Sequence, residues 1–205
     1  MKALLVVDIQ NDFLPGGALA VHDGDEIIPI VNRLMRKFDM IIATQDWHPK
    51  EHGSFASNHA GKTPGEIVPL FGIDQILWPD HCIQGSFGAE FSKELDTDLV
   101  NQVFQKGTDI LIDSYSGFFD NGKKKDTGLN AFLKSNNVQD VFVVGLATDY
   151  CVKFTALDAA ELGYRTFLIP DATKAVNLHE NDFENALAEM RNEGINLIYS
   201  SEILQ

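Results

Sequence analysis

The 205-residue sequence has no long apolar run and only two cysteines. A membrane-spanning helix needs ~20 consecutive apolar residues, and no stretch of the chain approaches that length. The apolar run that follows Met1 and Lys2 ends at Asp8, which makes it too short for the core of a signal peptide. We therefore expect a cytoplasmic protein. The two cysteines, Cys82 and Cys151, could in principle pair, but in a reducing compartment two free thiols are expected.

Basic residues are also scarce. Lysine and arginine together number 16 against 30 aspartates and glutamates, which gives a formal net charge of −14. Phosphate backbones and anionic lipids repel a chain with this balance, so we expect neither nucleic acid nor a membrane as a partner. A small molecule is the expected partner, and a homodimer is compatible with an acidic chain of this size.

The remaining composition is that of an ordinary globular protein, with 44% hydrophobic and 22% charged residues. A chain of this length forms one domain in most cases and buries roughly 70% of its unfolded surface. One region stands out because it is long, irregular and rich in proline and histidine. We therefore predict a single domain over residues 1–205 with a loop insertion at residues 45–86.

Short β-branched runs alternate with helical patterns along most of the chain. Ala3–Val7 is a continuous apolar run, which is typical of a strand covered on both faces. Further strands are predicted at residues 40–43, 102–106, 141–144, 166–169 and 197–199. Helices are predicted at residues 27–38, with Asp25 as N-cap, and at 129–135, 151–162 and 180–192. The alternation predicts an α/β fold, a three-layer doubly wound parallel sheet with helices on both faces.

Three predicted strands lead into residues that can carry out chemistry. Asp8 follows the first, Lys106 ends the third, and Cys151 follows the fourth at the start of a helix, where free N–H groups favour a thiolate. Ligands of open α/β sheets bind beyond the carboxyl ends of the strands. A base, a cation and a thiol there predict acyl transfer by a cysteine nucleophile. Each residue also has a structural alternative: Asp8 could cap a turn, Lys106 could be a solvated strand end, and Cys151 could be a buried structural thiol.

A second group of residues suits a metal ion. Asp46 and His48 are two residues apart in an extended segment, so their side chains point the same way. His81 could add a third ligand from the far end of the same long loop. Three protein ligands with water in the remaining positions describe a catalytic metal site. A turn before Pro49 is the alternative for the first pair, and Cys82 is expected to be a buried, inert thiol.

Five ordered motifs carry a family resemblance. They are Val7–Phe13, Gln45–Pro49, Trp78–Cys82, Lys106–Gly107 and Gly145–Val152. From Leu4 to about Leu168 the chain resembles the bacterial nicotinamidases (pyrazinamidases) of the isochorismatase-like cysteine hydrolases. The resemblance implies hydrolysis of nicotinamide to nicotinate and ammonia through a cysteine thioester, a step of NAD salvage, and deamidation of pyrazinamide.

The resemblance also implies roles for individual residues. Cys151 would be the nucleophile, Asp8 would take its proton and pass it to the departing ammonia, and Lys106 would hold both groups in place. The backbone N–H groups of Ala147 and Cys151 would form the oxyanion hole, with a cis peptide bond before Ala147. Three aromatic side chains would lie against the flat ring of the substrate: Phe13, Trp78 and Tyr115.

The metal ligands implied by the resemblance are Asp46, His48 and His81, holding one divalent ion, most commonly zinc, with iron or manganese as alternatives. Some relatives have a histidine eight residues after the metal aspartate, where this chain has Ser54. That serine is expected to reach the ion only through a water molecule. The other candidates for a fourth ligand are Glu66, His52 and His59.

Three other functions compete with this interpretation. An isochorismatase lacks the catalytic cysteine and the metal histidines. An N-carbamoyl amidase keeps the aspartate, lysine and cysteine but does not need the metal ligands. A non-catalytic, flavodoxin-like binding module needs a glycine-rich phosphate loop after the first strand, whereas Gly16 and Gly17 come late and outside any such motif. The run Lys123–Lys125 is interpreted as a solvated loop face.

Overall fold

The computed structural model describes all 205 residues and contains eight strands. They are β1 (Lys2–Val7), β2 (Met40–Asp46), β3 (Ile67–Leu70), β4 (Ile73–Ile76), β5 (Gln102–Lys106), β6 (Asp140–Leu146), β7 (Arg165–Lys174) and β8 (Asn196–Leu197). Six of them form one parallel sheet in the order β5-β2-β1-β6-β7-β8. The other two, β3 and β4, pair as a separate antiparallel hairpin.

Five helices cover the two faces of the parallel sheet. They are α1 (Ile28–Met35), α2 (Leu129–Ser135), α3 (Lys153–Glu161), α4 (Asp182–Asn192) and α5 (Ser200–Ile203). Alternate residues of β1 point to opposite faces: Leu5 packs with α2, α3 and α4, whereas Leu4 and Val6 pack with α1. The predicted three-layer α/β fold is therefore confirmed. No helix is long and apolar enough to cross a membrane.

Two elements differ from their predicted form. The predicted helix at 27–38 begins as a 3₁₀ turn, Gly24–Ile27, which contains Asp25, and continues as α1, so Asp25 does not cap it. Strand β7 is longer than predicted and includes Pro170, which has no N–H to donate. A register shift between Val143 and Gly145 of β6 accommodates this part of β7.

Within the predicted insertion at residues 45–86, the first two residues still belong to β2, and the rest is irregular apart from one 3₁₀ turn and the β3–β4 hairpin. The hairpin turns at Phe71 and Gly72, both with positive φ (51° and 84°). Such angles suit a tight two-residue hairpin turn, but phenylalanine is an unusual residue there, which is why the sequence did not predict the hairpin. A β-bridge between His48 and Ile83 holds the far end of the loop beside its beginning, at the edge of the sheet.

Candidate active site

Asp8, Lys106 and Cys151 meet at the carboxyl edge of the sheet. Strands β5, β2, β1 and β6 are neighbours and parallel, so the residues at their ends are brought together. Lys106 Nζ lies 2.9 Å from Asp8 Oδ2 and 3.4 Å from Cys151 Sγ. The carboxylate of Asp8 lies within 4.8 Å of the same sulfur. All three side chains are buried, so the structure assembles the group that the strand ends predicted.

Lys106 has two further partners, because its ammonium group also donates to Asp46 Oδ1 at 2.6 Å and to the carbonyl oxygen of Ser114 at 2.9 Å. Burial by itself lowers the pKa of a lysine, but Asp46 and Asp8 outweigh it and hold the pKa of Lys106 well above its ordinary value. Lys106 is therefore a cation that is shared by two buried carboxylates.

Burial raises the pKa of the Cys151 thiol well above its ordinary value, and Lys106 offsets only part of that effect. Desolvation of the charge therefore opposes the thiolate that the start of a helix favours. Burial also raises the pKa of Asp8, against the opposing effect of Lys106. A raised carboxylate pKa beside a thiol suits transfer of the proton from sulfur to Asp8.

Cys151 lies in a wide helical turn between β6 and α3. The turn spans Thr148–Val152, and the carbonyl oxygen of Ala147 accepts hydrogen bonds from the N–H groups of Tyr150 and Val152, both at 3.1 Å. The peptide bond between Leu146 and Ala147 is cis, as the family resemblance implied. The turn lies against the same cavity as the sulfur of Cys151.

Asp46, His48 and His81 form a second buried group beside the first. Their ligand atoms all lie within 4.8 Å of one another. Asp46 Oδ2 lies 3.4 Å from His48 Nε2 and 3.9 Å from His81 Nε2. The Nδ1 atoms of the two histidines are 2.8 Å from the carbonyl oxygens of Gly107 and Pro79. Because a carbonyl only accepts, each Nδ1 donates, which leaves Nε2 to face the cluster.

The donor set fits a divalent cation. His48 Nε2 is buried without a hydrogen-bond partner, which is costly unless a cation takes its lone pair. Burial and the nearby His48 lower the pKa of His81 to about 4, so His81 is neutral. Burial opposes ionisation of Asp46, but Lys106 and His48 hold the pKa of this carboxyl below its usual range. An anionic oxygen with two imidazole nitrogens suits zinc or a similar metal.

The pKa of His48 responds to two opposing effects. Burial lowers it, but the carboxylate of Asp46 outweighs burial and raises the pKa above its ordinary value. A proton on Nε2 and a metal ion compete for the same lone pair. Binding of a cation to this cluster should therefore release a proton.

Ser54 lies outside the three-residue cluster. Its Oγ is 2.7 Å from His52 Nδ1, and its backbone N–H donates to the same nitrogen at 3.3 Å. His52 belongs to a neighbouring buried group with His48 and Asp113. The remaining candidates for a fourth ligand have other partners: Glu66 is bound by Lys62 and Thr63, and His59 by the carbonyl oxygen of Gly53.

A small cavity lies between the two groups. The three aromatic residues expected to contact a flat ring line it, and the hydroxyl of Tyr115 accepts hydrogen bonds from Trp78 Nε1 at 3.1 Å and Gln75 Nε2 at 2.9 Å. Sequence reasoning did not assign four further lining residues: Leu19, Asp113, Tyr150 and Val176. Tyr150 stands within the Gly145–Val152 motif and could have been found there, whereas the other three lie in loops without a motif.

Comparison with known proteins places this geometry in context. A family model described as the Isochorismatase domain matches residues 2–202. The nicotinamidase of Escherichia coli (strain K12) is 47% identical over 202 residues, which cover 96% of this chain and 93% of that protein.

Solved structures agree with the sequence relatives. A nicotinamidase and pyrazinamidase from Acinetobacter baumanii is 46% identical and superposes with a TM-score of 0.96, covering 98% of this chain and 97% of that one. The pyrazinamidase of Pyrococcus horikoshii, solved in complex with zinc, is 40% identical with a TM-score of 0.78, covering 97% and 98%.

Proposed function

The chain belongs to the isochorismatase family, and within that family we propose that it is a nicotinamidase, an amidohydrolase that converts nicotinamide and water to nicotinate and ammonia. One observation carries the proposal. Cys151, which lies beside Lys106 and Asp8, lines the same aromatic-walled cavity as Asp46 and His81, which lie beside His48. An amide-cleaving nucleophile and a ligand set for a cation are thus within reach of one small planar substrate.

In the first half-reaction, the sulfur of Cys151 attacks the carboxamide carbon while Asp8 takes the thiol proton. The new C–S bond gives a tetrahedral intermediate with a negative oxygen. The C–N bond then breaks, and Asp8 returns the proton to the leaving nitrogen, so that ammonia departs and a thioester of Cys151 remains. Lys106 stays charged throughout and stabilises both the sulfur and the carboxylate.

In the second half-reaction, Asp8 removes a proton from a water molecule, and the oxygen of that water attacks the thioester carbon. The C–S bond breaks, the sulfur takes the proton back from Asp8, and the carboxyl group of the product loses its own proton to water. Nicotinate leaves and the enzyme returns to its starting form. The same carboxylate therefore serves both steps, as its position beside the sulfur allows.

The backbone N–H groups of Ala147 and Cys151 are the proposed oxyanion donors. Both belong to the segment that carries the nucleophile, so they are placed together with it. A donor of this kind typically contributes ~3 kcal/mol to the stability of the transition state. The proposal is supported by the position of Ala147 in the wall of the cavity.

Asp46, His48 and His81 are the proposed ligands of one divalent ion, for which zinc is the first candidate. When bound, the ion supplies a Lewis acid for the ring nitrogen of the substrate. The aromatic residues Phe13 and Trp78 would contact the faces of the ring. Pyrazinamide carries the same carboxamide on a similar flat ring, so we expect it to be a second substrate.

Ammonia release tests this proposal directly. Purified, metal-loaded protein is assayed with nicotinamide, pyrazinamide and an N-carbamoyl amino acid. We expect turnover of the two ring amides and none of the N-carbamoyl compound. Turnover of the N-carbamoyl compound alone would assign the chain to the carbamoyl amidases. No ammonia from any of the three would reject an amidohydrolase of this type.

The organisation of the whole molecule is part of the proposal. We propose that residues 1–205 form one domain in which the loop at residues 45–86 is an insertion that carries His48 and His81. We further propose that the protein is cytoplasmic and forms a homodimer. Analytical ultracentrifugation would decide between monomer and dimer.

A further inference from the structure

Asp149, two residues before Cys151, makes hydrogen bonds that the proposed mechanism does not use. Its side chain is buried, with 6% exposed. Oδ1 accepts from the backbone N–H of Val176 and Oδ2 from that of Asn177, both at 2.9 Å. One carboxylate thus joins the turn that carries the nucleophile to a segment 27 and 28 residues away.

That segment, residues 175–181, connects β7 to α4, and we call it the pocket strap. Its other hydrogen bonds stay within the strap and α4: Asn177 Oδ1 accepts from Phe183 N, and Asn181 O accepts from Asn185 N. Every hydrogen bond from the strap to another part of the chain goes to Asp149. The strap therefore depends on this one carboxylate for its polar attachment.

The strap contributes to the proposed substrate site through Val176. This side chain lines the cavity that holds Cys151, together with Ala147 and Tyr150. Its backbone N–H is one of the two groups that Asp149 binds. Asp149, in the turn that carries Cys151, therefore fixes the position of Val176 in the cavity wall.

We propose that Asp149 is a positioning residue that holds Val176 against the ring of the bound amide and so determines how tightly the substrate is held. The inference rests on the proposed function and goes beyond it. The turn of Cys151 has its own support, because Tyr150 N and Val152 N bind Ala147 O and the chain continues into β6 and α3. Loss of the Asp149 carboxylate should therefore loosen the wall and leave the nucleophile in place.

Replacement of Asp149 by asparagine is the decisive variant. A carboxylate accepts through both oxygens, whereas an amide must present its NH₂ group to one of the two N–H donors. We expect Asp149→Asn to raise the KM for nicotinamide about tenfold, the effect of one lost hydrogen bond to a charged group, with kcat within about twofold of the wild type. Hydrogen exchange at the amides of Val176 and Asn177 should become faster.

Asp171 offers a matched control. Its carboxylate likewise accepts two hydrogen bonds from one distant residue, from Ser200 N at 3.0 Å and Ser200 Oγ at 2.5 Å, and it does not line the cavity. Asp171→Asn should reduce thermal stability and leave the KM unchanged. A KM increase in both variants would show a general loss of structure and would overturn the positioning role.

A second variant keeps the test decisive if Asp149→Asn fails to fold. Val176→Ala should raise the KM with Asp149 intact, and this measurement does not require Asp149→Asn to fold. Where Asp149→Asn does fold, the two effects on KM should be less than additive in the double variant, because both act through one wall. An unchanged KM in Val176→Ala, or a fall in kcat alone in Asp149→Asn, overturns this inference. An inactive wild-type protein overturns the proposed function as well, so the two failures are distinguishable.

Discussion

The Nζ atom of Lys106 lies 2.6 Å from Oδ1 of Asp46, and this ion pair joins the proposed nucleophile site to the proposed metal cluster. The same ammonium group contacts Asp8 at 2.9 Å. Two buried carboxylates therefore share one cation at the ends of β1 and β2. Four strands end at this point, and the lysine allows their negative charges to lie close together.

Removal of the Lys106 ammonium group should strongly reduce both stability and activity. Lys106→Met keeps most of the side-chain volume but leaves two buried carboxylates without a counter-ion. Breaking a buried pair in this way typically costs about 3–5 kcal/mol of unfolding free energy, and we also expect loss of ammonia release. Urea denaturation measures the stability change. Lys62→Met is the control, because Lys62 and its partner Glu66, at 2.7 Å, both lie at the surface and the loss of this pair should cost under about 1 kcal/mol.

The two cysteines should behave in opposite ways. Cys151→Ala should lower ammonia release from nicotinamide by at least about a thousandfold while fold and metal content survive. Cys82→Ala removes a buried thiol that packs in the core and has the carbonyl oxygen of Gly88 as its only hydrogen-bond partner, so activity should persist with some loss of stability. Steady-state kinetics with metal analysis distinguishes the two. Substantial turnover by the first variant would contradict the assignment of the nucleophile.

Chelation should remove activity, and added divalent metal should restore it. The reason is that the ligand atoms of this cluster are available to a cation. The two Nε2 atoms have no other strong partner, and the carboxylate has only Lys106. His81→Ala should lower metal content by at least about tenfold and prevent restoration. Metal analysis beside the ammonia assay provides the measurement. Full activity in metal-free protein would exclude a role for the ion.

The pH dependence should report the environment of Asp8. This carboxylate must be ionised to accept the thiol proton, and burial raises its pKa above 3.8. The value of kcat/KM should therefore fall on acidification at a higher pH than for an ordinary aspartate. Thr44 Oγ1 donates to Asp8 Oδ1 at 2.7 Å and stabilises the ionised form. Thr44→Val should move the acid limb upward by up to about one pH unit, and a downward shift would contradict the role of Asp8.

Tyr115 should act through its hydroxyl as well as its ring. Tyr115→Phe leaves Trp78 Nε1 and Gln75 Nε2 without the acceptor that they share. An unpaired buried donor costs about 1–3 kcal/mol, so stability should fall and the KM for nicotinamide should rise. Thermal unfolding and steady-state kinetics measure the two effects. Equal KM values in variant and wild type would show that Tyr115 does not help to place Trp78.

The local order of the chain could be predicted from sequence because it depends on short-range patterns. The apolar run of β1 and the helical spacing over residues 27–38 indicated alternating strands and helices. The parallel sheet followed from that alternation. Parallel strands place their carboxyl ends on one edge, so the meeting of Asp8, Lys106 and Cys151 was predictable as well. The β3–β4 hairpin was not, because its turn contains Phe71 in a conformation that phenylalanine rarely adopts.

The tertiary structure decided what depends on burial and on partners distant in sequence. It buried the sulfur of Cys151, which raises the pKa of the thiol and opposes the thiolate that the start of a helix favours. It placed Lys106 between two carboxylates, and it paired Ser54 with His52. It also brought Val176 to the cavity through Asp149. Residue types and spacings determine which groups reach the edge of the sheet, but only packing sets their distances and exposure to water, and these control the pKa of each group and the shape of the site.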